Sequence, residues 1–63
     1  MRLKLTHSKR PFQEVLTTFD KFKIRYLTDF TSEDIIEFEH TLAIHGVATI
    51  SDDSGVLEVE VLS

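Results

Sequence analysis

The chain has 63 residues, 41% of them hydrophobic and 29% charged, with no cysteine and a formal charge of −4. That length supports one small domain, residues 1–63, and excludes a large core, since a domain of this size hides only about 60% of the surface its unfolded chain exposes. Without cysteine there is neither a disulfide framework nor a thiolate metal cluster, so self-association as a homodimer is the expected supplement to a marginal core.

Residues 1–6 alternate Met1, Leu3 and Leu5 with Arg2, Lys4 and Thr6, the period of two that marks a strand with one buried face. No apolar run of 7–15 residues lies near the start and none approaches 18 anywhere, so neither a signal peptide nor a membrane span is expected, and the expected location is the cytoplasm. Pro11 predicts a helix start, with Ser8 or Arg10 as its N-cap. From there Phe12, Val15, Leu16, Phe19 and Phe22 fall in one arc of a helical wheel, while Gln13, Glu14, Thr17, Asp20 and Lys21 fall outside it.

Residues 23–30 fit two periods. Tyr26, Leu27 and Phe30 would prolong the helical arc, whereas Ile24, Tyr26, Thr28 and Phe30 alternate with Lys23, Arg25 and Asp29. A continuing helix would turn Lys23 into the apolar arc and leave Ile24 in water, and the β-branched and aromatic content also favours a strand. The other reading makes the fold a helical hairpin packed on a small sheet. Thr31-Ser32-Glu33-Asp34 then predicts a second helix, capped by Thr31 with acids in its first turn and ending at Gly46 with His45 in the last turn. On its wheel Ile35, Phe38 and Leu42 form one apolar arc and Ile36 and Ala43 another, with Glu39 between them. This pattern predicts two contact surfaces, to the sheet and to the first helix, or else an interface glutamate paired with Arg or Lys of the first helix or of a second copy.

Val47–Ser51 and Val56–Leu62 flank Asp52-Asp53-Ser54-Gly55, which has the residues of a hairpin loop. The expected fold is α+β: a two-layer sandwich in β-α-β-α-β-β order, with a small mixed four-stranded sheet, two helices on one face and the other face open.

Neither a G-x-S-x-G elbow nor a cysteine is present, and Gly46 and Gly55 alone cannot build a phosphate-cradling loop, so no enzyme and no cofactor is expected. Glu37-x-x-His40 has the spacing of half a helical metal chelate but no matching half, and Asp52-Asp53 lacks the twelve-residue loop that calcium requires; no metal is expected. The charge is polarised. Residues 1–25 hold all seven Lys and Arg against two acids, +5, and residues 26–63 hold nine acids and no Lys or Arg, −9. Pairing of strands from the two halves would neutralise this, with the last strand beside the first so that Glu58 and Glu60 face Arg2 and Lys4. The edge position expected for that last strand also supports the homodimer.

Two functions from different classes follow. The favoured one is a non-enzymatic protein-binding or inhibitory module, in which Glu33, Asp34, Glu37, Glu39, Asp52, Asp53, Glu58 and Glu60 meet a basic protein partner and compete with that partner's nucleic acid. The alternative is a nucleic-acid-binding regulatory protein using Arg2, Lys4, Lys9, Arg10, Lys23 and Arg25. The −9 of the remaining residues would repel a polyanion and weighs against it.

Overall fold

The computed structural model describes residues 1–62. It is an α+β fold of four strands and two helices: β1 (Leu3–His7), β2 (Gln13–Leu16), α1 (Phe19–Tyr26), α2 (Ser32–His45), β3 (Val47–Asp52) and β4 (Gly55–Val61). The sheet order is β2-β1-β4-β3 and every neighbouring pair is antiparallel. No described helix is long and apolar enough to cross a membrane.

The element order is β-β-α-α-β-β, which corrects the expected β-α-β-α-β-β order and the mixed sheet. The difference lies wholly in residues 11–30. Phe12, Val15, Leu16, Phe19 and Phe22 share a wheel arc, yet the chain divides them between a four-residue strand and a later helix. Within β2 the period is two: Glu14 and Leu16 point inward while Gln13 and Val15 are exposed. The helix begins only after Thr18, whose hydroxyl accepts from the Lys21 N–H at 3.2 Å, with Asp20 in the first turn. Pro11 sits in the β1–β2 connection instead of at a helix start. Residues 23–26 complete α1, and the arrangement that argued against helix there is what the molecule adopts: Ile24 is 68% exposed and Lys23 is half-buried. Burial of Phe22 and Leu27 and half-burial of Tyr26 outweigh one apolar side chain left in water.

α2 follows the sequence closely. Thr31 caps it by accepting from Asp34 N–H at 3.2 Å, and Gly46, at φ 76°, ends it by donating its N–H to Leu42 at 2.9 Å. The Gly46 carbonyl accepts from Val61 N–H at 2.8 Å, so the residue that stops the helix also opens the β3–β4 ladder. The core lies between the helices and the inner sheet face. Leu3, Leu5, Leu16, Ala48, Leu57 and Val59 meet Phe19, Phe22, Phe38 and Leu42, with Leu27 closing one end. Phe22, fully buried, stacks on Tyr26 at 5.3 Å and on Phe38 at 5.5 Å, tying both helices together.

β4 lies beside β1, as charge neutralisation requires. Lys4 stands opposite Glu60, while Glu58 stands opposite Thr6 instead of a base. With β1 on one side and β3 on the other, β4 is a central strand. The edge-strand premise for a homodimer therefore fails at β4, and the edges are β2 and β3.

Candidate binding site

Once placed on the fold, the eight acidic candidates separate into three groups. Glu33, Asp34, Glu37 and Glu39 lie on α2, Asp52 and Asp53 at the β3–β4 turn, and Glu58 and Glu60 on the outer sheet face. They do not form one surface. Glu39 is exposed and, among the described residues, has no ion-pair partner, so the pairing with the first helix does not occur. The second apolar arc of α2 also packs on nothing: Ile36 and Ala43 are exposed, and one contact surface, made by Phe38 and Leu42 with Ile35 beside them, holds the helix down.

Asp34 and Glu37 are the acids that share the concavity between α2 and β3. A groove of about 500 Å³ runs between α2 and β3, lined by Phe30, Phe38 and Ala48 below and by Asp34 and Glu37 on the helix side, with Val47 and Thr49 on the strand side. The strand that borders it is an open edge. Bonds from Val61 N–H to Gly46 and from Ser8 N–H to Val56 set the parity of β4, whose odd residues bond β3 and whose even residues bond β1. Gly46, Ala48, Ile50 and Asp52 thus turn their peptide groups into the sheet, and Val47, Thr49 and Ser51 turn theirs outward. Among the described residues those outward groups have no backbone partner. Val47–Ser51 carries no charge, proline or glycine, so the edge lacks the usual protection against strand pairing. The opposite edge is only four residues long and carries Glu14.

A second hollow, of about 360 Å³, opens at the other end of the sheet between the β1–β2 loop, the end of α1 and the β3–β4 turn; Phe12, Tyr26, Ile50, Leu57, Arg10 and Arg25 line it. Both arginines are already engaged. Arg25 bonds Glu14, which also accepts from the Tyr26 hydroxyl at 3.0 Å, and Arg10 donates to Ser54 at 3.1 Å and lies 3.8 Å from Asp52. The Arg25 guanidinium, then the Tyr26 hydroxyl, lowers the Glu14 carboxyl below its ordinary range. Of the other basic candidates, Lys4 stands opposite Glu60 in the strand register, and Arg2 precedes it. Lys9 lies in the loop and Lys23 on α1, 3.6 Å from Asp20. The basic set does not converge.

Chain folding brings His7, Ser8, Asp52 and Ser54 together, which no spacing in the sequence reveals. The His7 side chain is only 3% exposed; its Nδ1 accepts from Lys9 N–H at 3.1 Å, so its Nε2 carries the proton given to Asp52 at 3.2 Å. Both ring nitrogens are committed. Ser8 Oγ accepts from Val56 N–H at 2.9 Å, and Ser54 donates to Asp52, not to the ring. A nucleophile–base link needs a serine hydroxyl on a free imidazole nitrogen, and this cluster instead locks two loops to each other.

Period-two parity could have found the inward polar groups. Extending Leu3 and Leu5 by two reaches His7, extending Ala48 and Ile50 by two reaches Asp52, and reading 13–16 as a strand turns Glu14 inward. Comparison with family models, with curated proteins and with solved structures gives no match.

Proposed function

We propose that this protein is a non-catalytic binding module that takes up an extended, basic segment of a partner protein along the open edge of β3, beneath Asp34 and Glu37. The supporting observation is the coincidence of three features in one groove: outward peptide groups at Val47 and Thr49 that have no backbone partner among the described residues, an apolar lining of Phe30, Phe38 and Ala48, and two carboxylates on the helix above. Strand addition supplies main-chain hydrogen bonds, and alternate side chains of the added strand supply specificity. Charge chooses the occupant. A second copy pairing at the same edge would bring Asp34 and Glu37 towards their own duplicates, whereas lysines or arginines on an incoming strand meet them favourably.

The test uses a fluorescent peptide alternating lysine with valine and a control alternating glutamate with valine. The basic peptide binds the wild type and the acidic one does not; Asp34→Lys with Glu37→Lys abolishes binding. Thr49→Pro weakens binding too, because it removes an outward N–H, and the fold survives since that N–H takes no part in the ladder to β4. Ile50→Pro removes a ladder bond and unfolds the chain. Equal binding of both peptides, or full binding by Thr49→Pro, would overturn the proposal.

A further inference from the structure

The solvent pole of α2 carries an apolar stripe that the fold does not use. Ile36, His40 and Ile44 succeed one another at four-residue intervals, which places them 40° apart on the side opposite the buried Phe38 and Leu42. Ile36 is 66% exposed and Ile44 63%, and Glu33, Glu37 and Thr41 border the shallow hollow they line. Residues at such intervals form the ridge that interdigitates in the commonest class of helix packing.

The stripe reads the same in both directions, Ile-x-x-x-His-x-x-x-Ile. In a twofold pair each residue i that meets j is met by j in return, so an antiparallel copy of this stripe sets isoleucine on isoleucine at both ends and histidine on histidine between them. Charge fixes the direction. All four acids of α2, at 33, 34, 37 and 39, precede His40, and residues 40–45 contain none. A parallel pair would set acid against acid along the first two turns. An antiparallel pair sets each acidic half beside the partner's acid-free half, where His45 lies, and opposes the two helix dipoles favourably.

We infer that α2 is the interface of a symmetric dimer of this chain, with two copies of α2 antiparallel, Ile36 of each on Ile44 of the other, and the two His40 side chains meeting at the twofold axis. This surface is separate from the β3 edge, so the dimer stands or falls independently of the binding function proposed above.

Sedimentation equilibrium from micromolar to millimolar concentration shows the mass rising from 7.3 kDa towards twice that. Ile44→Asp sets a new carboxylate against the partner's acidic half and raises the dissociation constant at least about tenfold, a loss of about 1.4 kcal/mol. Its exposed position leaves the monomer's melting intact. Because the chain has no cysteine, single-cysteine variants locate the axis. Under mild oxidation His40→Cys crosslinks to itself readily, and Thr49→Cys on the β3 edge and Glu60→Cys on the outer sheet face do not. A mass of 7.3 kDa at every concentration, a dimer indifferent to Ile44→Asp, or crosslinking at Thr49→Cys or Glu60→Cys as fast as at His40→Cys would overturn the inference.

Discussion

Asp52 accepts from the Ser54 hydroxyl at 2.9 Å, from the Ser54 N–H at 2.8 Å and from the His7 ring at 3.2 Å, and these donors, Ser54 foremost, bring its carboxyl down to about 2. A carboxyl whose folded value lies below its unfolded one stabilises the fold above the unfolded value, and that stability is lost as pH falls through the folded one. For Asp52 the window runs from its ordinary value of 3.8 down to about 2. Thermal melting followed through that window should show a steeper loss in the wild type than in Asp52→Asn. Glu14, lowered by Arg25 and Tyr26, acts in the same direction and accounts for a residual slope in the variant. The same corner makes Gly55 irreplaceable. At φ 147° a side chain is strained, and a Cβ there would lie 2.6 Å from Ser8 Oγ and 2.7 Å from Lys9 Cγ. Gly46, at φ 76°, has open space around it, so Gly46→Ala costs only the left-handed conformation, about 1–2 kcal/mol. Gly55→Ala should lower the melting temperature further than Gly46→Ala, because it adds collision to strain.

The elements differ in how much of them the sequence carries. α2 and the β3–β4 hairpin are locally complete: Thr31, Gly46, Asp52 and Gly55 each mark a boundary by their own chemistry, and the flanking residues keep one period. Residues 11–30 are not. A four-residue strand gives two inward positions, too few to announce a period of two, and here one of them is Glu14 while Val15 faces out, so the apolar stripe from Phe12 to Phe22 fits the helical period alone. What settles the matter is tertiary: Glu14 finds Arg25 and Tyr26, and Phe22 finds Phe38, residues far along the chain. The candidate site was legible in composition but not in place, since parity and topology, which depend on strand order, decide which acids share a groove. Phe22 is the hub of this tertiary choice. Phe22→Ala should cost about 3–5 kcal/mol against a total stability of roughly 3–9 kcal/mol for a chain of this size, and circular dichroism should find a melting midpoint far below that of the wild type. By contrast Thr31→Ala, which removes one cap, should cost about 1 kcal/mol and leave a cooperative melt.

Across the whole molecule the +5 and −9 halves are interleaved by the fold instead of being set apart. β1 lies between β2 and β4, so Lys4 and Glu60 face each other on the outer sheet surface, and Arg25 is taken up by Glu14. Charge juxtapositions of this kind select register more than they stabilise. Their larger effect is on what remains for a partner. Glu58 and Glu60 share a face with Lys4, whereas Asp34 and Glu37 stand over the groove at the β3 edge without a base beside them in its lining. Acidic substitutions should therefore sort by face and not by sign alone. Capture of the basic peptide should be lost in Asp34→Lys with Glu37→Lys and retained in Glu58→Lys with Glu60→Lys, although both variants change the net charge by the same +4. In the wild type that capture should weaken as salt rises. A labelled DNA duplex offered at low salt separates the alternative. If the basic half bound nucleic acid, the duplex would be retained steeply in salt and lost in Lys4→Ala with Arg25→Ala. The fold engages or scatters those bases, so the expected result is no retention by wild type or variant. Salt-sensitive retention that disappears in the basic-side variant and persists in Asp34→Lys with Glu37→Lys would transfer the binding function to the basic residues.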